Sequence, residues 1–358
     1  MSAALAEIFP VGDMLADELG ARGWTQAEFA EILGRPAQFV SEILSGKKEI
    51  TRESATQIAA ALGTSPEMWL KMQDRYYLWR QANDERTQER LSDVRLRARL
   101  KDLAPIGVMR ERGMIKGATP SEQERELKDL YRIDDIYDEP ELLVAARRSK
   151  VDEKVSSTQL AWIACVRRKA ERMAVAKFDP KALEDLAVRL TRTVSSPKDF
   201  GILPSAFADV GVRMVFVEAF PGSKMDGCSF YFDDGSPVIG ISGRGKRFDK
   251  VLFTLLHEVA HIHLGHLEDE ALVIDDQGES PTLGPEAPAN EQAASWTVPE
   301  ELPVIPERIS GGWVTAVSRD LGIHPIVLIG RLQKEGRIPW KTTLVRNAPS
   351  VLDELVRW

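Results

Sequence analysis

The sequence predicts a mainly α-helical chain with one small β-sheet, an α+β arrangement, and three observations lead there. Capped amphipathic segments recur through the first eighty residues. A charged, arginine-rich stretch follows from Asn83 to Lys101. After Gly201, short apolar runs bounded by Gly, Asp and Ser interrupt the helical pattern. At 358 residues the chain exceeds what one core usually supports. The expected divisions are a helical bundle over 1–82, a helical middle region over 83–200 and a mixed region with C-terminal helices over 201–358. Hydrophobic residues at 43% and charged residues at 28% exclude wholesale disorder. No apolar run reaches the length of a membrane span, and Met-Ser-Ala-Ala-Leu-Ala-Glu lacks the features of a secretory leader. A cytoplasmic location without a membrane partner is therefore expected. Cys165 and Cys228 form no CxxC pair and read as reduced packing residues.

The first elements carry their boundaries in their residues. Thr25 caps a helix, with Glu28 in the reciprocal capping-box position; Arg35-Pro36 opens the next, Thr51 caps another, and Ser65-Pro66 starts one more. Trp24 to Leu33 and Pro36 to Ser45, joined by Gly34-Arg35, have the lengths and spacing of a helix-turn-helix. Phe29, Ala30, Leu33, Val40, Ile43 and Leu44 fit its buried faces. Gln38, Phe39 and Ser41 then fall near the start of the second helix, where base edges are met, and Gln26, Arg35, Lys47, Lys48 and Arg52 are placed for phosphates. Gln38 can pair bidentately with adenine and Phe39 can touch a thymine methyl. A double-stranded operator is thus the expected partner. The formal charge of −8 and Glu42 within the second helix require that attraction to be local, and a module that docks only onto another protein is the plainer alternative. From Phe9 to Gln81, including Leu62-Gly63-Thr64-Ser65-Pro66-Glu67-Met68-Trp69-Leu70, the sequence resembles HigA-type antitoxins of the XRE/Cro class. The resemblance implies a homodimer formed through this region, an operator of its own and a cognate toxin as partner.

Further along, Ser121 and Glu124 form a capping box after Pro120, and Ser156 to Ala176 has helical apolar spacing. Val212 to Val217, Cys228 to Phe232 and Pro237 to Ile241 read as strands, the last of them expected at a sheet edge where an extended substrate can pair. A helix from Arg247 to Leu264 closes at Gly265, and Asp269 to Pro288 reads as an acidic loop. His324 reads as a helix start or a core residue.

Four of the five histidines, His257, His261, His263 and His266, fall within ten residues. His257-Glu258-Val259-Ala260-His261 is an H-E-x-x-H sequence, which on a helix stacks both imidazoles on one face and sets the glutamate beside them. Such a pair binds zinc, and the adjacent carboxylate suits a general base. Gly265 and His266 are each one residue off the H-E-x-x-H-x-x-G-x-x-H pattern, so the third ligand is expected to be a carboxylate from a later helix. Glu291, read as the start of a short helix, is the assignment. Glu268, Asp269, Glu270 and Glu286 compete, each more simply read as a solvated loop charge. His263, His266, Tyr231 and Arg244 are candidate donors to a transition-state oxyanion, each with a packing or surface role as the plainer reading.

Phe253 to His261 together with Asn290-Glu291-Gln292-Ala293-Ala294 resembles the ImmA/IrrE metallopeptidases, over roughly Pro204 to Ile338. That resemblance implies a zincin-like domain in which His257, His261 and Glu291 bind Zn2+, Glu258 is the base, and a repressor or antitoxin-type protein is the substrate. The alternative is a non-enzymatic repressor or antitoxin whose zinc domain is structural or sensory.

Overall fold

A computed structural model of the chain describes residues 8–141, 155–269, 272–275, 286–298 and 302–358. It is mainly helical with one four-stranded sheet, as the sequence predicts. The chain divides into two compact units, Met1–Arg95 and Leu96–Trp358.

The N-terminal unit contains α1 (Val11–Arg22), α2 (Gln26–Leu33), α3 (Ala37–Leu44), α4 (Arg52–Leu62) and α5 (Pro66–Ala82), with α6 (Glu85–Leu103) running on through the division at Arg95. The Thr25–Glu28 capping box forms at both ends: the Glu28 amide donates to Thr25 Oγ1 at 3.2 Å, and the Thr25 amide to Glu28 Oε2 at 2.7 Å. Pro36 is the residue before α3 rather than its first helical residue. Phe29, Val40, Ile43, Ile58 and Trp69 form the core. α1 approaches α3 so closely that a Cβ on Gly12 would lie 2.4 Å from the Leu44 carbonyl oxygen, which only glycine permits. Buried Gln73 on α5 holds the loop before α4, donating to the Ile50 carbonyl at 3.0 Å and accepting from its amide at 2.6 Å. These two bonds satisfy a backbone segment that no helix pairs.

The second unit begins within α6 and adds α7 (Ile106–Glu111), α8 (Pro120–Tyr131), α9 (Ser157–Ala170), α10 (Pro180–Thr193) and α11 (Leu203–Asp209). Next come strands β1 (Arg213–Phe216), β2 (Gly227–Tyr231) and β3 (Pro237–Ile241), then α12 (Phe248–His263), α13 (His266–Asp269) and β4 (Val273–Asp275). The unit closes with α14 (Glu286–Thr297), α15 (Gly311–Leu321), α16 (Pro325–Lys334) and α17 (Leu352–Leu355). The cap of α8 is Thr119, boxed with Glu122, two residues before the Ser121–Glu124 pair expected; Pro120 takes the first helical position, where its missing N–H loses nothing. His324 caps α16, accepting from the Ile326 amide at 3.1 Å.

The sheet order is β1-β3-β2-β4, with β1 parallel to β3 and the other pairs antiparallel. Pro237–Ile241 is therefore an interior strand, hydrogen-bonded on both sides. Its backbone is committed, which removes the edge role expected of it. Alternation along β1 and β3 sends Met214, Phe216, Ile239 and Ile241 to one core and Val215 and Val238 to another. Two buried faces need two covers. One is α9, whose Trp162 indole donates to the Val217 carbonyl at 2.7 Å; the other is built on α12. Residues 96–200 thus share a unit with the sheet, so the boundary expected at 200 is not where the chain divides. The first division lies at Arg95 rather than at 82.

Candidate metal centre and nucleic-acid interface

α12 lies almost wholly in the core, with Val251, Leu252, Leu255, Leu256, Val259 and Ala260 all buried. His257, Glu258 and His261 are buried with them. Three polar side chains in so apolar a helix require compensation. The two imidazoles face each other as the four-residue spacing demands, with Nε2 atoms 2.9 Å apart. Glu286, at the start of α14, sends its carboxylate between them, 3.2 Å from His257 Nε2 and 3.6 Å from His261 Nε2. Among the described residues these three form the group able to hold a metal ion.

Glu291, expected in that place, is exposed, and the correction follows from helix phase. α14 buries Ala289, Ala293, Trp296 and Thr297, a face that includes Glu286 at the spacing of three and four residues. Glu291 is five residues on, about 140° round the helix from Glu286. The helix starts at Glu286 because Pro288 in its first turn removes only an N–H that has no partner there. With Ala289 and Ala293 as the packing residues, α14 lies close across α12. Of the competing carboxylates, Glu270 lies outside the described residues.

The donor set fits zinc on three counts. Two imidazole nitrogens and a carboxylate oxygen are a catalytic-type ligand set. His257 Nε2 lies 2.9 Å from His261 Nε2 and 3.2 Å from Glu286 Oε2, near the roughly 3.3 Å that separates ligand atoms on a tetrahedron with bonds of about 2.0–2.1 Å. Burial, reinforced by the neighbouring His257, brings the pKa of His261 down to about 3, with the Glu286 carboxylate opposing, so that ring is neutral and its lone pair is available at neutral pH. Glu258 lies against β2, so close that a Cβ on Gly227 would stand 2.4 Å from its Oε1. Cys228, beside it, is fully buried, and burial together with the Glu258 charge holds its thiol well above the usual range. Both cysteines are free and buried, and Cys228 serves as packing.

The four oxyanion candidates have other engagements. His266 Nδ1 is 2.9 Å from His261 Nδ1. His263 meets the Trp296 ring edge-on and faces Glu184 at 4.0 Å. Arg244 donates to the Lys224 carbonyl at 2.9 Å and pairs with Asp226, and Tyr231 packs against Phe178. Sequence reasoning missed Gly227 beside Glu258 and His266 as a neighbour of His261, and it chose Glu291 where the carboxylate beside the two histidines is that of Glu286, five residues earlier. The apolar phase of Ala289, Ala293 and Trp296 was the signal that selects Glu286.

In the N-terminal unit, Gln26, Gln38, Ser41, Lys47, Lys48 and Arg52 are exposed along α2, α3, the segment after it and the start of α4. Phe39 is half-buried, with the Arg35 guanidinium and the Lys48 ammonium over its ring at 5.5 and 5.0 Å. A face so covered contacts a thymine methyl only if those cations move away. Arg35 also pairs with Glu53 and donates to Gln57 at 3.1 Å. Glu42 accepts from Gln38 Nε2 at 2.8 Å and faces Lys48 at 3.5 Å, so its charge is locally compensated. Gln26, Lys47 and Arg52 are exposed.

Comparison with known proteins bears on the N-terminal unit. The helix-turn-helix family model HTH_3 matches residues 15–69. A helix-turn-helix-type transcriptional regulator of Haemophilus influenzae is 33% identical over 86 residues, covering 24% of this chain and 80% of the relative. Antitoxin HigA-1 of Vibrio cholerae is 40% identical over 70 residues, 19% of this chain and 66% of the antitoxin. A solved HigA-family antidote protein from Coxiella burnetii is 35% identical, with 20% of this chain and 80% of that one covered and a TM-score of 0.20. No helix among the described residues is long and apolar enough to cross a membrane. Through its N-terminal unit, the chain belongs to the family of helix-turn-helix transcriptional regulators.

Proposed function

We propose that the protein is a DNA-binding regulator whose second unit is a zinc-dependent peptidase acting on a repressor or antitoxin-type protein. The observation that carries the peptidase reading is the convergence of His257, His261 and Glu286 in a buried site with Glu258 on the same helix. A zinc ion held by those three would lower the pKa of its water to about 7 and polarise the scissile carbonyl. Glu258 would hold the proton of an attacking water at its carboxylate and pass it to the leaving amine. A purely structural ion needs no such base, which favours catalysis over a sensory or structural role.

For DNA, α3 presents Gln38 and Ser41 to base edges, with Lys47, Lys48 and Arg52 for the backbone. The HigA-like relatives support an operator as the ligand, with dimerisation and a toxin partner as further parts of this proposal. The experiment for the peptidase compares wild type with Glu258→Ala, both loaded with zinc, against regulators co-expressed from neighbouring genes. Cleavage by wild type alone, with a loss of about 100-fold or more in the variant, is expected. Equal products from both would remove catalysis and leave the sensory alternative.

A further inference from the structure

The two histidines of the site are not held alike. His257 places Nδ1 in the core with no hydrogen-bond partner among the described residues. Nδ1 of His261 lies 2.9 Å from Nδ1 of His266, on the short helix that follows the left-handed turn at Gly265. A neutral imidazole carries one proton, so a ring that donates from Nδ1 keeps the lone pair on Nε2. The two Nε2 atoms, 2.9 Å apart, are the ones the pair would offer to an ion, so each keeps its lone pair and the proton of His261 falls to Nδ1.

With Nε2 given to the ion, His261 carries its proton on Nδ1 and donates it across the 2.9 Å contact to Nδ1 of His266, whereas the Nδ1 of His257 has no such partner among the described residues.

We infer that His266 is a positioning residue for the metal site: it accepts the Nδ1 proton of His261, fixing that ring's plane and presenting Nε2 as a ligand. The assignment rests on the zinc reading above. Partners of this kind orient metal-bound imidazoles and change affinity without touching the ion.

Zinc affinity of the full chain, measured by competition with a chromogenic chelator, tests it in wild type, His266→Ala and His266→Asn. Wild type is expected to take up one equivalent, and His266→Ala to bind about 10–100-fold more weakly. In His266→Asn, Oδ1 can stand where Nδ1 stood, so most of the affinity returns. Equal affinity in wild type and His266→Ala, or an Asn variant as weak as the Ala variant, would overturn the assignment and leave the zinc reading intact. A wild type that takes up no zinc would overturn both. Nitrogen-15 shifts of the zinc-free wild type give an answer that does not depend on any variant folding: the His261 proton belongs on Nδ1, and finding it on Nε2 overturns the assignment.

Discussion

In the N-terminal unit the residues expected to meet DNA lie between Gln26 and Arg52, on one helix pair, the segment after it and the first residue of α4, and all but Phe39 and Arg35 are exposed. In the C-terminal unit the candidate site is largely buried, and the three side chains able to hold an ion come from two helices, with Glu258 pressed against a strand. The first kind of site is specified by short-range signals: caps, turns and the phase of single helices. The second depends on which face of α14 meets α12, a fact set by packing between elements far apart in the chain.

The difference makes opposite demands on substitution. At the metal centre a single carboxylate decides. Glu286→Ala is expected to weaken zinc binding by more than the roughly 10–100-fold typical of an outer partner, whereas Glu291→Ala leaves it within about twofold because that side chain is exposed. Chelator competition on both variants checks it, and the reverse ranking would return the third ligand to Glu291. Gly227→Ala comes next. A Cβ 2.4 Å from Glu258 Oε1 displaces the base within a core that leaves it little room, so peptide cleavage should fall by about 100-fold while zinc stoichiometry stays at that of wild type. Loss of zinc together with cleavage would mean that the strand supports the ligands rather than the base.

On the exposed surface, no single residue should matter as much. Gln38→Ala is expected to weaken operator binding by about 1–3 kcal/mol and to relax the preference at one base pair. Lys47→Ala should weaken binding to all sequences alike and flatten the salt dependence by about one unit of slope. Filter binding or fluorescence anisotropy across a salt series separates the two. Affinity unmoved by salt and by Gln38→Ala would favour a module that docks onto protein.

Much of this was legible without coordinates. Thr25 with Glu28, Thr51 and Ser65-Pro66 marked three helix starts correctly, because a cap is chemistry between residues three apart. His257, Glu258 and His261 were legible for the same reason: four residues make one turn. What failed was long-range. The strand Pro237–Ile241 looked like any short apolar run, and nothing local distinguishes an edge from an interior position. Residues 96–200 showed helical periodicity but not the sheet face that α9 covers. Glu286 was hidden because Pro288 suggested a loop, although a proline in the first turn is compatible with a helix beginning at Glu286.

The smallest effect sharpens the comparison most directly, because it tests whether local signals do local work. Thr25→Ala removes the Oγ1 that accepts from the Glu28 amide and the hydroxyl that donates to Glu28 Oε2 at 2.8 Å, leaving an orphan amide at the start of α2. The expected loss is about 1 kcal/mol of stability in the N-terminal unit. Operator affinity should change only as far as α2 frays, and zinc affinity not at all, since no ligand of the site lies in that unit. Urea titration read by circular dichroism, with chelator competition alongside, measures both. If Thr25→Ala weakened zinc binding, the sites would be energetically coupled, and the division into a locally specified reader and a packing-specified centre would no longer describe the molecule.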